Sequence, residues 1–342
     1  MSQKINDLPF IDLYVRLDGT EAPMYRARER GNSIYNQLVP ADFIPAVEQF
    51  GVMIRAEMQN LSDTTLTYEG IRCRLSKQVM ADGTLWACAR QINSELPDIN
   101  KLGFAPHICG HLTSLGKREG LILVSGSAGH GKTTTAAGLL INYMKTYGGT
   151  AITIEDPVEY ILKGRHGEYA QCFQIEVKND DDWAPTLKRA LRWGPRYIFV
   201  GEIRTPQAAE QLLHAATTGH TVITTLHGGM PEEALTGLLF MAEQSMGSGA
   251  ADILAGCLTA LLHQTMKEEG PFVRYLFTEE SAPGDPIRSL IRENKIGMMS
   301  TYIDRIAARL ANQPIPFGQN PPPQQQMVEA HAPLPPLPPI RR

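Results

Sequence analysis

Short apolar runs alternate with longer helical patterns through the middle of the chain. Four runs have the length and β-branched content of buried strands, at residues 121–124, 151–154, 197–200 and 221–226. Apolar residues at helical spacing between them predict helices over residues 133–143, 183–193 and 206–217. Strands and helices that alternate at this length predict an α/β fold with a doubly wound, mainly parallel sheet.

The flanking regions have other patterns. Alternating strands at 11–16, 64–68, 71–75 and 85–90, with a helix over 41–58, predict a small α+β domain over residues 1–100. A larger domain is predicted over residues 101–312, where helices at 232–246, 251–267 and 287–310 and a strand at 272–277 follow the alternating region. Ten of the 24 prolines lie in residues 313–342. Such a Pro/Gln-rich segment buries too little apolar surface to fold, so we predict a disordered tail.

Composition narrows the functional classes. The net charge of −4 argues against broad nucleic-acid binding, for which a basic stripe is typical, so no direct nucleic-acid partner is expected. No apolar run approaches the length of a membrane span, and the first residues lack the pattern of a secretory signal. The five cysteines are scattered without a C-x-x-C pair, which indicates neither a zinc site nor a disulfide framework. These features predict a cytoplasmic protein with reduced thiols.

The first predicted strand and the helix after it enclose a phosphate-binding motif. Residues 126–133 read GSAGHGKT and fit G-x-x-x-x-G-K-[ST], the pattern of a P-loop. Glycines let the backbone approach phosphate, Lys132 reaches the β- and γ-phosphates, and the Thr133 hydroxyl ligates Mg²⁺. The motif therefore predicts a site for a nucleotide with Mg²⁺. Its predicted binding residues are Gly126, Ser127, Ala128, Gly129, His130, Gly131, Lys132, Thr133 and Thr134.

Charged and polar residues follow the next three predicted strands. Glu155 ends the second strand, Glu202 ends the third, and His227 ends the fourth. Ligands bind at the carboxyl ends of the strands in an open parallel sheet. Glu202 stands where a P-loop enzyme places the acid that orders its metal ion, and His227 is placed to sense a γ-phosphate.

Four motifs in this order resemble those of one family. The P-loop, ITIEDPVEY at 152–160, VGEIR at 200–204 and TGHTVITTLH at 218–227 are similar to the Walker A, Asp box, Walker B and His box of the secretion ATPase superfamily. Members of that superfamily power type IV pili, type II secretion and type IV secretion. PIRSLIRE at 286–293 resembles the AIRNLIRE motif of the pilus retraction (PilT-like) branch, and the N-terminal region resembles the family's PAS-like domain.

The resemblance implies a RecA-like domain that hydrolyses Mg-ATP within a homohexameric ring. It also implies a cytoplasmic motor, attached peripherally to the inner membrane through a platform protein of a pilus or secretion machine. It assigns the metal site to Thr133, Glu155 and Glu202, and leaves open which glutamate is the general base. It further assigns stabilisation of the transferred phosphoryl group to Arg74 and Arg90 of the N-terminal domain.

Alternative functions differ in the features that they require. The tetracysteine module of export ATPases is missing, which favours retraction or disassembly of a pilus over export. An ATPase of a type IV secretion or conjugation system is the second interpretation. A RecA-like DNA translocase would require a basic stripe, and a GTPase would require an N-K-x-D motif, which does not occur.

Overall fold

Two β-sheets organise the protein. The computed structural model describes residues 3–27, 35–92, 95–267, 270–278, 284–303 and 305. Within these residues, one sheet has six strands and the other has eight. The predicted tail at 313–342 lies outside the described residues.

The six-stranded sheet is antiparallel, in the order β3-β2-β1-β6-β5-β4. Its strands are β1 Phe10–Arg16, β2 Met24–Ala27, β3 Asn36–Leu38, β4 Asp63–Tyr68, β5 Ile71–Val79 and β6 Leu85–Gln91. Helix α1 (Ile44–Glu57) packs Phe50 and Ile54 into the same core as Leu13 and Leu75. Four of the strands and the helix are as predicted, whereas the short β2 and β3 have no clear alternation in the sequence.

The eight-stranded sheet has the order β14-β13-β7-β12-β11-β8-β10-β9. The six central strands are parallel, and an antiparallel strand lies at each edge. The strands are β7 Gly120–Gly126, β8 Gly149–Glu155, β9 Gly164–Arg165, β10 Ala170–Glu176, β11 Tyr197–Glu202, β12 Thr221–His227, β13 Leu258–Lys267 and β14 Gly270–Phe277. The predicted mainly parallel sheet is therefore confirmed.

Helices cover both faces of this sheet. One face packs against α2 (Pro106–Ser114) and α3 (Lys132–Tyr147). The other face packs against α4 (Trp183–Leu191), α5 (Pro206–Thr217), α6 (Pro231–Met246), α7 (Ala250–Cys257) and α8 (Pro286–Arg292). In the part of the chain that the structure describes, no helix is both long enough and apolar enough to cross a membrane.

The helix predicted over residues 251–267 is wrong beyond Cys257. Helix α7 ends at Cys257, and β13 continues from Leu258 between β7 and β14. Leu261 packs into the core on one face of the sheet, and Leu262 packs into the core on the other. A strand that is buried on both faces is apolar at consecutive positions, so its sequence pattern resembles that of a buried helix.

The helix predicted over residues 287–310 is interrupted after its first two turns. Helix α8 ends at Arg292, and Asn294 has φ +54°, a left-handed conformation that ends helices. A 3₁₀ turn at Ile296–Met298 follows, and residues 300–303 and 305 are again helical, as predicted. Residues 304 and 306–310 of the predicted helix lie outside the described residues.

Candidate nucleotide-binding site

The carboxyl ends of four adjacent parallel strands form the site. Strands β7, β12, β11 and β8 lie side by side, and His227 pairs in register with Gly126. Because parallel strands end at the same edge of the sheet, Glu155, Glu202 and His227 lie beside the loop that follows β7. The topology thus collects residues that are about a hundred positions apart in the sequence.

The loop between β7 and α3 has a backbone that only glycine adopts easily. Gly129 and Gly131 have φ of +76° and +77°. A Cβ atom on Gly126 would lie 2.3 Å from the Gln264 carbonyl oxygen of β13. In the described structure no side chain caps the start of α3 at Lys132, so its first N–H groups are available to an anion.

Lys132 extends from the start of α3 across this loop. Its Nζ donates to the Ser127 carbonyl oxygen at 3.0 Å and lies 3.3 Å from Nδ1 of His227. Burial lowers the pKa of Lys132, and the carboxylates of Glu202 and Glu159 oppose that shift. The ammonium group is therefore partly desolvated and faces negative charge, which suits it to bind phosphate.

Glu202 is the centre of a charged network at the end of β11. Its carboxylate lies 3.1 Å from Nε2 of His227 and 3.4 Å from Nη2 of Arg204. Arg204 also contacts Asp156 at 3.3 Å. Together with the Lys132–His227 contact, these pairs form a continuous chain of ionisable groups from the P-loop to the residue after β8.

Glu159 is a site residue that the sequence motifs do not single out. Its side chain accepts a hydrogen bond from Thr133, whose hydroxyl was the predicted Mg²⁺ ligand. It is exposed to the open cavity, yet burial by the surrounding protein raises its pKa. The sequence feature that could indicate Glu159 is its place as the third acidic residue of the EDPVE segment, four positions after Glu155.

Glu155 has a different environment. It is only 2% exposed, and it accepts hydrogen bonds from Oγ1 of Thr153 at 2.6 Å and Nε2 of Gln174 at 2.8 Å. Burial raises the pKa of Glu155 to about 7. Two protein donors already bind Oε1, so Glu155 is less available to a metal ion or water than Glu159 or Glu202.

A cavity of about 400 Å³ lies between these groups. Arg74 of β5 lines it, which brings a cation of the six-stranded sheet to the P-loop of the same chain. The lining residues are Arg74, Ala128, Gly129, Gly131, Lys132, Thr133, Thr134, Glu155, Asp156, Pro157, Glu159, Gly201, Glu202, Arg204, Thr225 and His227. Gly126, Ser127 and His130 were also predicted to bind phosphate; they belong to the loop but not to this lining.

Arg90 lies apart from the cavity. Its guanidinium donates to Asp12 at 2.7 Å and 3.1 Å, and Asp12 is fully buried. That hydrogen bond raises the pKa of Arg90. In this conformation Arg90 neutralises a buried carboxylate rather than facing the P-loop.

A magnesium site would have to include phosphate oxygens. Among the described residues, no group of three or more His, Cys, Asp or Glu side chains is arranged to hold a metal ion. Thr133, Glu159 and Glu202 nevertheless direct oxygen atoms into one cavity. Mg²⁺ prefers oxygen ligands and keeps several waters, so this donor set fits an ion that arrives with a nucleotide.

Comparison with known proteins gives consistent matches. Residues 71–284 match the family described as Type II/IV secretion system protein. The Type II secretion system protein HxcR of Pseudomonas aeruginosa is 33% identical over 177 residues, 50% of this chain and 36% of HxcR. The retraction ATPase PilT of the same organism is 32% identical over 188 residues, 54% of this chain and 53% of PilT. YggR of Escherichia coli K12 is 33% identical over 210 residues, 60% of this chain and 62% of YggR.

Solved structures extend the likeness to most of the chain. The pilus retraction motor PilT, solved with bound ADP, is 27% identical with a TM-score of 0.68, over 89% of this chain and 90% of that one. The DotB ATPase of Legionella pneumophila, at 19% identity and a TM-score of 0.64 over 90% and 85% of the two chains, shares the fold. The aligned region spans less than two thirds of HxcR, PilT and YggR. The family match covers more than half of the chain, which therefore belongs to the Type II/IV secretion system protein family.

Proposed function

We propose that this chain is a Mg²⁺-dependent ATPase that drives a type IV pilus system, with pilus retraction or disassembly as its role. One observation carries the enzymatic part of the proposal. Lys132, His227 and Glu202 are in consecutive contact, at 3.3 Å and 3.1 Å, inside a cavity that also holds Glu159 and Arg74. Cations for phosphate and carboxylates for metal and water are the groups that phosphoryl transfer requires, and the strand-end histidine lies between them.

Binding would use the P-loop. Its N–H groups and the N-terminus of α3 would surround the β-phosphate, and Lys132 would exchange its contact with the Ser127 carbonyl for phosphate oxygens. Mg²⁺, when bound, would neutralise negative charge on the phosphates. Thr133 would supply the hydroxyl ligand, and Glu202 and Glu159 would hold the waters around the ion.

Hydrolysis needs a carboxylate that accepts a proton from water. Glu159 and Glu202 both face the cavity, and burial by the surrounding protein raises the pKa of Glu159, which favours Glu159 as the proton acceptor. Glu202 is already paired with Arg204 and His227, which suits it to order the metal site. His227 would then contact the γ-phosphate beside Lys132, and Arg74 would offset negative charge on the transferred group.

The biological role is proposed from the family. Pilus retraction is favoured by PIRSLIRE at 286–293 and by the likeness to PilT. We further propose that the chain works as a homohexamer in the cytoplasm and acts on a pilus through an inner-membrane platform protein. The assembly ATPase PilB of Thermus thermophilus is 35% identical over 170 residues, 49% of this chain and 18% of PilB. A role in pilus assembly or in type II or type IV secretion is therefore the second candidate.

Steady-state hydrolysis of Mg-ATP tests the enzymatic proposal. Lys132→Ala removes a charge that contacts the transferred phosphate, which should cost about 3 kcal/mol, or at least about a hundredfold in rate. Unchanged turnover in Lys132→Ala would contradict the site. A deletion strain tests the role: loss of pilus retraction supports the proposal, whereas loss of pilus assembly or of secretion supports the second candidate.

A further inference from the structure

The side chain of Gln264 on β13 forms hydrogen bonds with the P-loop and with the helix that follows it. It is 2% exposed. Its Nε2 donates to the His130 carbonyl oxygen at 2.6 Å, and its Oε1 accepts from Oγ1 of Thr135 at 2.7 Å. A single buried amide thus joins a sheet strand, the P-loop and the first turn of α3.

The orientation of this amide is fixed by its partners. The His130 carbonyl can only accept a hydrogen bond, so the nitrogen of Gln264 must face it. A flipped amide would place Oε1 against that carbonyl and lose the donor. The Thr135 hydroxyl satisfies the oxygen that remains, and the amide therefore has one favourable position.

The hydrogen bond determines where a P-loop N–H group points. The His130 carbonyl and the Gly131 N–H belong to one planar trans peptide, in which the two groups point in opposite directions. Because Gln264 holds the carbonyl toward β13, the Gly131 N–H is turned to the other side of the loop. Gly131 lines the cavity beside Lys132 and Thr133, so that side is where phosphate would bind.

The packing leaves little room for another arrangement. A Cβ on Gly131 would lie 2.9 Å from Nε2 of Gln264, and a Cβ on Gly126 would lie 2.3 Å from the Gln264 carbonyl oxygen. The backbone and side chain of one β13 residue therefore lie directly against Gly126 and Gly131. Residues with a side chain at those positions would push the loop away from β13.

We propose that Gln264 is a positioning residue for phosphate binding, which it serves by holding the His130–Gly131 peptide with its N–H toward the nucleotide. This role rests on the proposed function, because it requires that the P-loop bind a nucleotide. Gln264 itself lies behind the loop and acts through the peptide. Its loss should weaken nucleotide binding more than it slows the chemical step.

The test compares Gln264→Met with Ser125→Ala in the full chain. Ser125 is also buried and also bonds to β13, at 3.3 Å to the Leu262 carbonyl and 3.1 Å to Nδ1 of His263. Binding of a fluorescent ADP analogue and the kcat and KM for Mg-ATP are measured for both variants. We expect Gln264→Met to raise Kd and KM at least tenfold with kcat within about threefold, and Ser125→Ala to change Kd less than twofold.

A second variant guards against misfolding. Gln264→Leu has no titratable group and also removes the donor to His130, so it should also raise Kd at least tenfold. Wild-type Kd in either folded Gln264 variant would overturn the role of Gln264. An equal rise in Kd in Ser125→Ala would do the same, since it would reveal a general effect of core damage. Wild-type protein that binds no ADP would instead overturn the proposed function itself.

Discussion

Two glutamates of the EDPVE segment occupy different environments although only three residues separate them. Glu155 lies at the end of β8, inside the sheet, with Thr153 and Gln174 as its donors. Glu159 lies in the cavity and accepts from Thr133. Chemical roles in this segment therefore depend on which way the chain turns after the strand, which the residue types alone do not specify.

This difference predicts the effect of removing each charge. Glu159→Gln should lower kcat for Mg-ATP at least about a hundredfold while ADP binding persists, because a general base acts only in the chemical step. Glu155→Gln should lower kcat much less, since that group is bound internally. Steady-state rates and ADP affinity of both variants check this. A larger loss in Glu155→Gln than in Glu159→Gln would return the catalytic role to the residue predicted from sequence.

The raised pKa of Glu155 also predicts a dependence of stability on pH. With a folded pKa of about 7 against an ordinary 4.5, the folded protein retains a proton that the unfolded chain releases. Stability from this group is thus present below pH 4.5 and is lost as pH rises through 7. Glu155→Gln should therefore stabilise the protein by up to about 3 kcal/mol at pH 8 and by little near pH 4.5. Urea unfolding of the wild type and Glu155→Gln at pH 8 and pH 4.5 measures the difference in unfolding free energy. An equal difference at the two pH values would contradict the prediction.

At the scale of elements, α8 shows how a motif residue can serve the core. Ile287 and Ile291 of this helix are buried against the main cluster, and Arg288 donates to the carbonyl groups of Ala255 and Gly256 at the end of α7. Arg292 is half exposed, 3.5 Å from Asp252. The PIRSLIRE segment therefore combines a packing face with a charged outer face.

The two faces should respond differently to substitution. Ile291→Ala leaves a cavity in the core and should cost about 2–5 kcal/mol of stability. Arg292→Ala breaks an exposed ion pair and should cost less than about 1 kcal/mol. If the outer face transmits work to a partner, Arg292→Ala should retain ATP hydrolysis and lose pilus movement in cells. Thermal unfolding and ATPase rates of the two variants, beside a motility assay, separate these effects.

The sequence correctly predicts the elements whose apolar residues form a clear pattern and whose ends are marked by charged, proline or glycine residues. Strands β7, β8, β11 and β12 are short apolar runs that end at charged or glycine residues, and α5 begins at Pro206 and ends near Gly219. Strand β13 fails because burial on both faces removes the alternation that identifies a strand. Because the sequence pattern predicts a helix in place of β13, it does not indicate that Gln264 lies beside the P-loop. The role proposed for Gln264 depends on that position.

At the scale of the molecule, an ion pair joins the two sheets. Nη2 of Arg72 on β5 lies 2.6 Å from Glu176 at the end of β10, and Oε2 of Glu176 also accepts from the Val158 N–H at 3.4 Å. Arg74 follows on the same face of β5 and lines the cavity of its own chain. The sequence could indicate that β5 and β6 carry cations, but the position of Arg74 at the cavity and of Arg90 at Asp12 depends on tertiary contacts.

This arrangement predicts the behaviour of mixed assemblies. If Arg74 serves the P-loop of its own chain, Arg74→Ala and Lys132→Ala each disable their own site, and mixing them creates no site with both cations. Turnover of the mixture should not exceed the sum of the separate proteins. Light scattering should find a closed oligomer. Titration of the wild type with Lys132→Ala verifies that subunits exchange, because inactive subunits then lower turnover. Recovery toward wild-type turnover in the double mixture would show instead that Arg74 acts on a neighbouring subunit, across an interface that a single chain does not contain.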